Sequence, residues 1–132
     1  MNSIEHCFLI DDDTDDQEIF CMALQDFNKN IQCNMASNGI EAVKKLSDNS
    51  NYLPDIIFID MNMPKINGLQ CLIEIRKIKR LKNVPIIIYS TSSNPETVVS
   101  AMKEGAQDFL IKPPAISELS RKLQAIFVSF EN

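Results

Sequence analysis

Five short apolar runs recur along the chain with room for one helix between neighbours, and this beat limits the fold more tightly than any other feature of the sequence. The runs are CFLI at 7–10, the alternating IQCNM at 31–35, IIFI at 56–59, IIIY at 86–89 and DFLI at 108–111. Four are almost continuously apolar, as strands are when helices cover both faces of a sheet. The stretches between them are amphipathic, so the pattern is one of repeated βα units. Helix starts are marked as well. Thr14 with Gln17, and Asn38 with Glu41, have capping-box spacing, and Asn94 precedes Pro95 as a cap precedes the first helical position. Ile116, Leu119, Leu123, Ile126, Phe127 and Phe130 make one apolar stripe along the last helix. The expected architecture is α/β: a doubly wound, five-stranded parallel sheet with five helices, in one domain spanning 1–132.

In such sheets ligands bind beyond the carboxyl ends of the strands. The first run ends in Asp11 and Asp12, the third in Asp60, the fourth in Ser90 and Thr91, and the fifth in Lys112. Polar groups far apart in sequence thus converge on one sheet edge. The segment DDDTDD at 11–16 alone holds five aspartates. The chain has 18 acidic and 13 basic residues, so without those five it would balance at 13 each, and the net charge of -5 belongs to this place. Two carboxylates ~5 Å apart repel by about 3 kcal/mol at an effective dielectric of 20, so three together call for a cation. Oxygen-only donors with room for water favour magnesium over zinc, and magnesium held this way usually shares its shell with a phosphoryl oxygen.

Other features narrow the function classes. Asp13, Asp15 and Asp16 are read as favourable neighbours of a helix N-terminus. A calcium-binding EF-hand counted from Asp11 would want glycine and glutamate where Asp16 and Met22 stand. Cys7, Cys21, Cys33 and Cys71 form no CxxC pair and read as reduced, buried thiols of a cytoplasmic protein. The N-terminus MNSIEHCFLI lacks a basic n-region, and the longest apolar run, VPIIIY, falls far short of the ~18 residues of a membrane span, so neither export nor membrane insertion is expected. The basic stretch RKIKRLK at 76–82 reads as a solvated helical face, which gives no nucleic-acid signal. His6 reads as a surface residue at a sheet edge.

The segments FLIDD, ASNGIEA, DIIFIDMNMPKINGL, PIIIYS and GAQDFLIKP together resemble the receiver domains of two-component response regulators, especially the single-domain chemotaxis type. The resemblance runs from about Cys7 to the last helix. It implies a flavodoxin-like strand order, 2-1-3-4-5. Asp60 then matches the phosphoacceptor, Asp11 and Asp12 the acidic pair that holds Mg2+ with it, and Asn62 the residue whose backbone carbonyl completes the metal shell. Ser90 matches the hydroxyl position, Lys112 the lysine that contacts the phosphoryl group, and Phe109 the aromatic switch. Many members carry tyrosine at the switch, so here it cannot rely on a phenolic hydroxyl. Ser92 occupies a position that tunes hydrolysis, and the resemblance further implies a cis Lys112–Pro113 bond.

The activity implied is acceptance of a phosphoryl group from the phosphohistidine of a sensor histidine kinase onto Asp60, with magnesium, followed by slow self-catalysed hydrolysis. No effector domain is expected after the fifth helix. Output would pass to a downstream protein target, through phosphorylation-dependent dimerisation, or to a histidine phosphotransfer protein in a phosphorelay. Two other readings share these residues. One is a pseudo-receiver that only docks. The other is a haloacid-dehalogenase-type phosphatase, whose DxDx(T/V) motif would use Asp11 and Asp13 but meets Asp15 in its third place.

Overall fold

The five apolar runs form one parallel sheet. A computed structural model of the chain describes residues 4–48, 51–63, 66–91 and 94–131. The strands are β1 (His6–Ile10), β2 (Gln32–Ala36), β3 (Ile56–Ile59), β4 (Ile86–Ser90) and β5 (Asp108–Ile111). Between and after them run α1 (Thr14–Phe27), α2 (Gly39–Asp48), α3 (Gly68–Arg76), α4 (Pro95–Lys103) and α5 (Ile116–Phe130), with one 3-10 turn at Lys79–Leu81. The strand order is β2-β1-β3-β4-β5, so direction reverses between β1 and β3. The sheet is the doubly wound, flavodoxin-like α/β arrangement.

Alternation along the strands builds two cores. Phe8, Ile10, Ile57, Ile59, Ile86 and Ile88 pack with Ala42 and Leu46 of α2 and with Cys71, Leu72 and Ile75 of α3. Their neighbours Cys7, Leu9, Ile56, Phe58, Ile87 and Tyr89 face the other way, onto Phe20 and Leu24 of α1 and Leu119, Leu123 and Phe127 of α5. Phe58 is ringed by Phe20, Tyr89 and Phe127, with centroids at 5.1, 6.4 and 6.1 Å. Both faces of β1, β3 and β4 are therefore apolar because both are covered. In β2 the alternation marks an outer strand: Gln32 and Asn34 are exposed, while Cys33 and Met35 are half-buried. Helix α4 ends in a Schellman motif, in which the Ala106 and Gly105 amides donate to the carbonyls of Ala101 and Met102 at 3.0 and 3.2 Å. Gly105 takes the left-handed conformation the motif needs, with φ 110°.

Several expectations are corrected. The run DFLI is not covered on both faces, because β5 is a sheet edge where Asp108 and Ile111 are exposed. His6 belongs to β1, an inner strand, and is half-buried. The cap of α1 is Asp13, not Thr14: its carboxylate accepts from the amides of Asp15 and Asp16 at 2.8 and 3.1 Å. Asn38 and Asn94 cap their helices as expected, accepting from the amides of Glu41 and Glu96. Only Cys7 and Cys71 are buried; Cys21 and Cys33 are partly exposed. The basic stretch at 76–82 is not simply a solvated face. Arg76 reaches the carbonyls of Gly105 and Leu81 at 2.7 and 2.9 Å, and Arg80 those of Leu46 and Tyr52, so both guanidinium groups tie loops together. Among the described residues no helix is long and apolar enough to cross a membrane.

Candidate functional site

The ladder of the sheet continues one step past each strand, and that step positions the site. The Asp11 amide donates to Ala36 at 3.1 Å, the Asp60 amide to Ile10 at 2.9 Å, and the Lys112 amide to the Ser90 carbonyl at 2.7 Å. The residues that follow β1, β3 and β5 are thereby held at one sheet edge. Carboxylate oxygens of Asp11, Asp12 and Asp60 lie within 4.8 Å of one another. Asp11 is 0 % exposed and Asp60 5 %, while Asp12 faces solvent.

Each carboxylate has a distinct surrounding. Asp11 uses both oxygens: Oδ1 accepts from the Asp13 amide and Oδ2 from Lys112 Nζ, each at 2.9 Å. Asp60 Oδ1 accepts from the Asn62 amide at 3.1 Å, and its Oδ2 faces Lys112 Nζ at 3.6 Å. Asp12 makes no hydrogen bond or ion pair through its carboxylate among the described residues, which leaves it open to an incoming ligand. Lys112 is gripped by a further group, Asp16 Oδ2 at 2.8 Å, and its ammonium lies 5.0 Å from the centroid of the Tyr89 ring. Gln17 braces the β1–α1 loop by donating from Nε2 to the Asp11 carbonyl at 2.6 Å.

Burial sets the electrostatics. It pushes the Asp60 carboxyl up, the Asn62 amide and Lys112 pull it back, and the Asp11 and Asp12 charges add to the rise, which leaves its pKa at about 6. Asp11 is likewise raised by burial against the opposing hydrogen bonds from Asp13 and Lys112. For Lys112, burial disfavours the ammonium, but the bonds to Asp16 and Asp11 and the charge of Asp60 outweigh it and raise the pKa. Asp60 is thus a nearly dry carboxylate whose ionised form is disfavoured by burial, a cost that a bound cation would offset. Three carboxylates with oxygen-only donors, one of them unpartnered, form an acidic metal-binding triad.

The turn after β3 depends on a glycine. The Gly68 amide donates to Met61 at 3.1 Å, and a Cβ at Gly68 would sit 2.5 Å from the Asp60 carbonyl oxygen and 2.6 Å from Met61 Cα. Asn67 caps α3 by accepting from the Gln70 amide at 2.9 Å. A cleft of about 630 Å³ opens beside this turn, lined in part by Asn62, Asn67, Glu96 and Thr97.

Ser90 is the last residue of β4, 2 % exposed, rather than a residue beyond it. Strand alternation places it on the face of Ile88, whose partner in β5 is Phe109. Phe109 is partly buried against the core on that face. The Lys112–Pro113 bond is not cis; no peptide bond among the described residues is. The aim of Lys112 comes instead from its ladder bond to Ser90 and from the two carboxylates that hold its ammonium. Ser92 lies outside the described residues, as do Pro64 and Lys65 of the MNMPKINGL segment.

Sequence reasoning missed Asp16, Tyr89 and Gln17. Asp16 was assigned only to the helix end, although a carboxylate in the first turn of a helix that starts directly after β1 overhangs this same edge. Tyr89 was legible only as a buried strand residue. Asp13 serves as the α1 cap, so the second aspartate of a dehalogenase motif is turned to another purpose.

Comparison with known proteins agrees with this geometry. The model of the response regulator receiver domain family matches residues 7–124. The chain is 33% identical over 91 residues to the chemotaxis protein CheY1 of Helicobacter pylori, covering 69% of this chain and 72% of that one. It is 30% identical over 124 residues to the two-component response regulator ORR13 of Oryza sativa, covering 94% and 99%. Among solved structures, the chemotaxis response regulator CheY4 of Vibrio cholerae superposes with a TM-score of 0.79 at 26% identity, over 94% of this chain and 99% of that one.

Proposed function

The chain belongs to the response regulator receiver family of two-component systems, whose members work with histidine kinases, and on that premise we propose that it accepts a phosphoryl group from a kinase phosphohistidine onto Asp60. The observation that carries this reading is Asp60 itself. It directly follows the central strand β3, it is nearly buried, and it stands 3.6 Å from Lys112 and beside two further carboxylates. A carboxylate is a weak nucleophile, so the rate must come from in-line placement and from neutralising charge on the transferring group. Asp60 Oδ1 is fixed by the Asn62 amide, which leaves Oδ2, on the Lys112 side, to attack. Lys112 is already charged and oriented, and it would meet an equatorial phosphoryl oxygen. Asp12 and Asp60, with the Asn62 carbonyl, are the residues we assign to hold magnesium directly, and Asp11, whose oxygens are both engaged, would act through water. Bound magnesium would supply charge neutralisation on the phosphoryl oxygens. The product is an aspartyl phosphate that water later attacks in the same place.

Output is read as passing through the face made by α4, β5 and α5. Val99, Met102 and Ile111 are exposed apolar side chains on α4 and β5. Ser90 donating to the phosphoryl group would vacate space on the side where Phe109 packs, and inward rotation of the already partly buried Phe109 would gain a fraction of the about 1.5 to 3 kcal/mol that complete burial from an exposed state is worth. Residues 1–132 are taken to work as one receiver domain whose partner is a downstream protein, a second copy, or a phosphorelay histidine.

The test is exposure to acetyl phosphate with magnesium, read by intact mass. One phosphoryl group per chain is expected, and none on Asp60→Asn. Full modification of the Asn variant at another residue would refute the assignment, and no modification of the wild type would favour a pseudo-receiver that only docks. For output, amide shifts over 95–104 and 106–120 should respond to phosphorylation in the wild type and not in Ser90→Ala.

A further inference from the structure

The first turn of α1 brings to the site a carboxylate that no strand end supplies. Asp13 caps this helix and accepts from the Asp16 amide at 3.1 Å, and the Gln17 side chain ties down the Asp11 carbonyl at 2.6 Å, so the turn is fastened to the end of β1. Asp16 Oδ2 thereby meets Lys112 Nζ at 2.8 Å, although the two residues are 96 positions apart. The Lys112 side chain is nearly buried, whereas that of Asp16 is partly in water. An ammonium taken out of water needs close counterions. Three carboxylates surround this one at unequal distances: Asp16 at 2.8 Å, Asp11 at 2.9 Å and Asp60 at 3.6 Å. The first two accept hydrogen bonds, and the third is too far to do so. Among the described residues Asp60 Oδ2 accepts no hydrogen bond, although it is the oxygen on the ammonium's side. The ammonium also lies over the Tyr89 ring, 5.0 Å from its centroid.

On the reading that Asp60 is the phosphoacceptor, we propose that Asp16 is a positioning residue for phosphoryl transfer: it draws Lys112 off Asp60 Oδ2, which keeps the attacking oxygen unbonded and one ammonium hydrogen free for the incoming phosphoryl group. An ammonium carries three hydrogens. Two go to Asp16 and Asp11, which leaves one on the side of Asp60. A charge-assisted bond from that hydrogen to Oδ2 would be strong, and it would engage the lone pair that has to attack phosphorus. Asp16 serves as counterion at a lower desolvation cost than Asp60 would, because its carboxylate is partly hydrated and that of Asp60 is almost dry. In the transfer, Oδ2 forms its bond to phosphorus as the bond from phosphorus to the donor breaks, and the donor leaves with that electron pair. Lys112 keeps its proton throughout and stabilises an equatorial oxygen. Asp16 acts through Lys112 alone. In Asp16→Asn the ammonium has only Asp11 and Asp60 as charged partners, so it should close onto Oδ2.

The full chain and its variants would be labelled with acetyl phosphate at saturating magnesium and followed by intact mass. Asp16→Asn should label about tenfold more slowly, as expected when a group that assists transfer shifts by less than an ångström, with magnesium affinity little changed. Asp16→Glu keeps the charge and should recover most of the rate. Asp15→Asn removes the same charge from the same helical turn without touching Lys112, and it should change the rate by less than about twofold, as a screened surface charge does. A crystal structure of metal-free Asp16→Asn should place Lys112 Nζ about 2.8 Å from Asp60 Oδ2. Equal rates in Asp16→Asn and Asp15→Asn, no recovery in Asp16→Glu, or an ammonium still clear of Asp60 in Asp16→Asn would each overturn the role of Asp16 while leaving Asp60 as the phosphoacceptor. A wild type that takes no label would overturn both.

Discussion

Replacing Asp60 with Asn should make the metal-free protein more stable at neutral pH, although it removes the proposed phosphoacceptor. The folded carboxyl has its pKa raised from an ordinary 3.8 to about 6, chiefly by burial. At about 1.4 kcal/mol for each tenfold change in proton affinity, ionising Asp60 in the fold costs roughly 3 kcal/mol. The sign follows from linkage. Between pH 3.8 and 6 the folded state holds more protons than the unfolded one, so the favourable contribution is full below pH 3.8 and is lost as pH rises through 6. At pH 8 the wild type bears the whole cost and the Asn variant bears none. Lys112 keeps two partners, Asp11 and Asp16, so the substitution leaves no orphaned charge. With a urea m-value of about 1 to 3 kcal/mol per molar, the midpoint should rise by roughly 1 to 3 M at pH 8 in EDTA. The gap should shrink toward zero near pH 4. Magnesium at ten times its Kd should narrow it at pH 8 by about 1.4 kcal/mol, because it stabilises only the folded wild type. An Asn variant no more stable than wild type at pH 8, or a gap independent of pH, would refute the reasoning.

Lys112→Met should cost about 3 kcal/mol at pH 8, because Asp11 is fully buried and loses its counterion, and the loss should recover as pH falls and the carboxyls take protons; paired urea titrations check this. Asp12→Ala should weaken magnesium binding with little change in stability, whereas Asp13→Ala should cost about 1 kcal/mol through the lost α1 cap and leave binding nearly intact; equal losses on metal titration would contradict this division. Gly68→Ala gains helix propensity but forces a Cβ against the Asp60 carbonyl, so a net loss of about 1 to 3 kcal/mol and slower acetyl phosphate labelling are expected by denaturation and intact mass.

Much of this protein was legible in the linear sequence. The runs IIFI and DFLI fall on β3 and β5 residue for residue, CFLI and IIIY each stop one residue short at one end, and IQCNM is displaced from β2 by one residue. Periodicity succeeds there because a strand covered on both faces must be apolar at every position, and that requirement is local. The placement of Asp11, Asp12, Asp60 and Lys112 at one sheet edge was also legible, since the residues after each strand of a doubly wound sheet are set there by topology alone, whereas Ser90 proved to be the last residue of β4 itself. What escaped depended on three-dimensional neighbours. DFLI reads like a central strand, yet only strand order makes β5 an edge. Thr14 and Asp13 are both good caps, and the choice depends on how the chain leaves β1. Arg76 and Arg80 look like surface charges until the fold brings the carbonyl of Gly105 to the one and those of Leu46 and Tyr52 to the other. The second grip on Lys112, from Asp16, is of the same kind. The sequence carries the periodic hydrophobic burial that selects the architecture, whereas pairings between polar groups many residues apart exist only after the sheet has chosen its order, because their energies depend on distances of a few ångströms that no local pattern encodes.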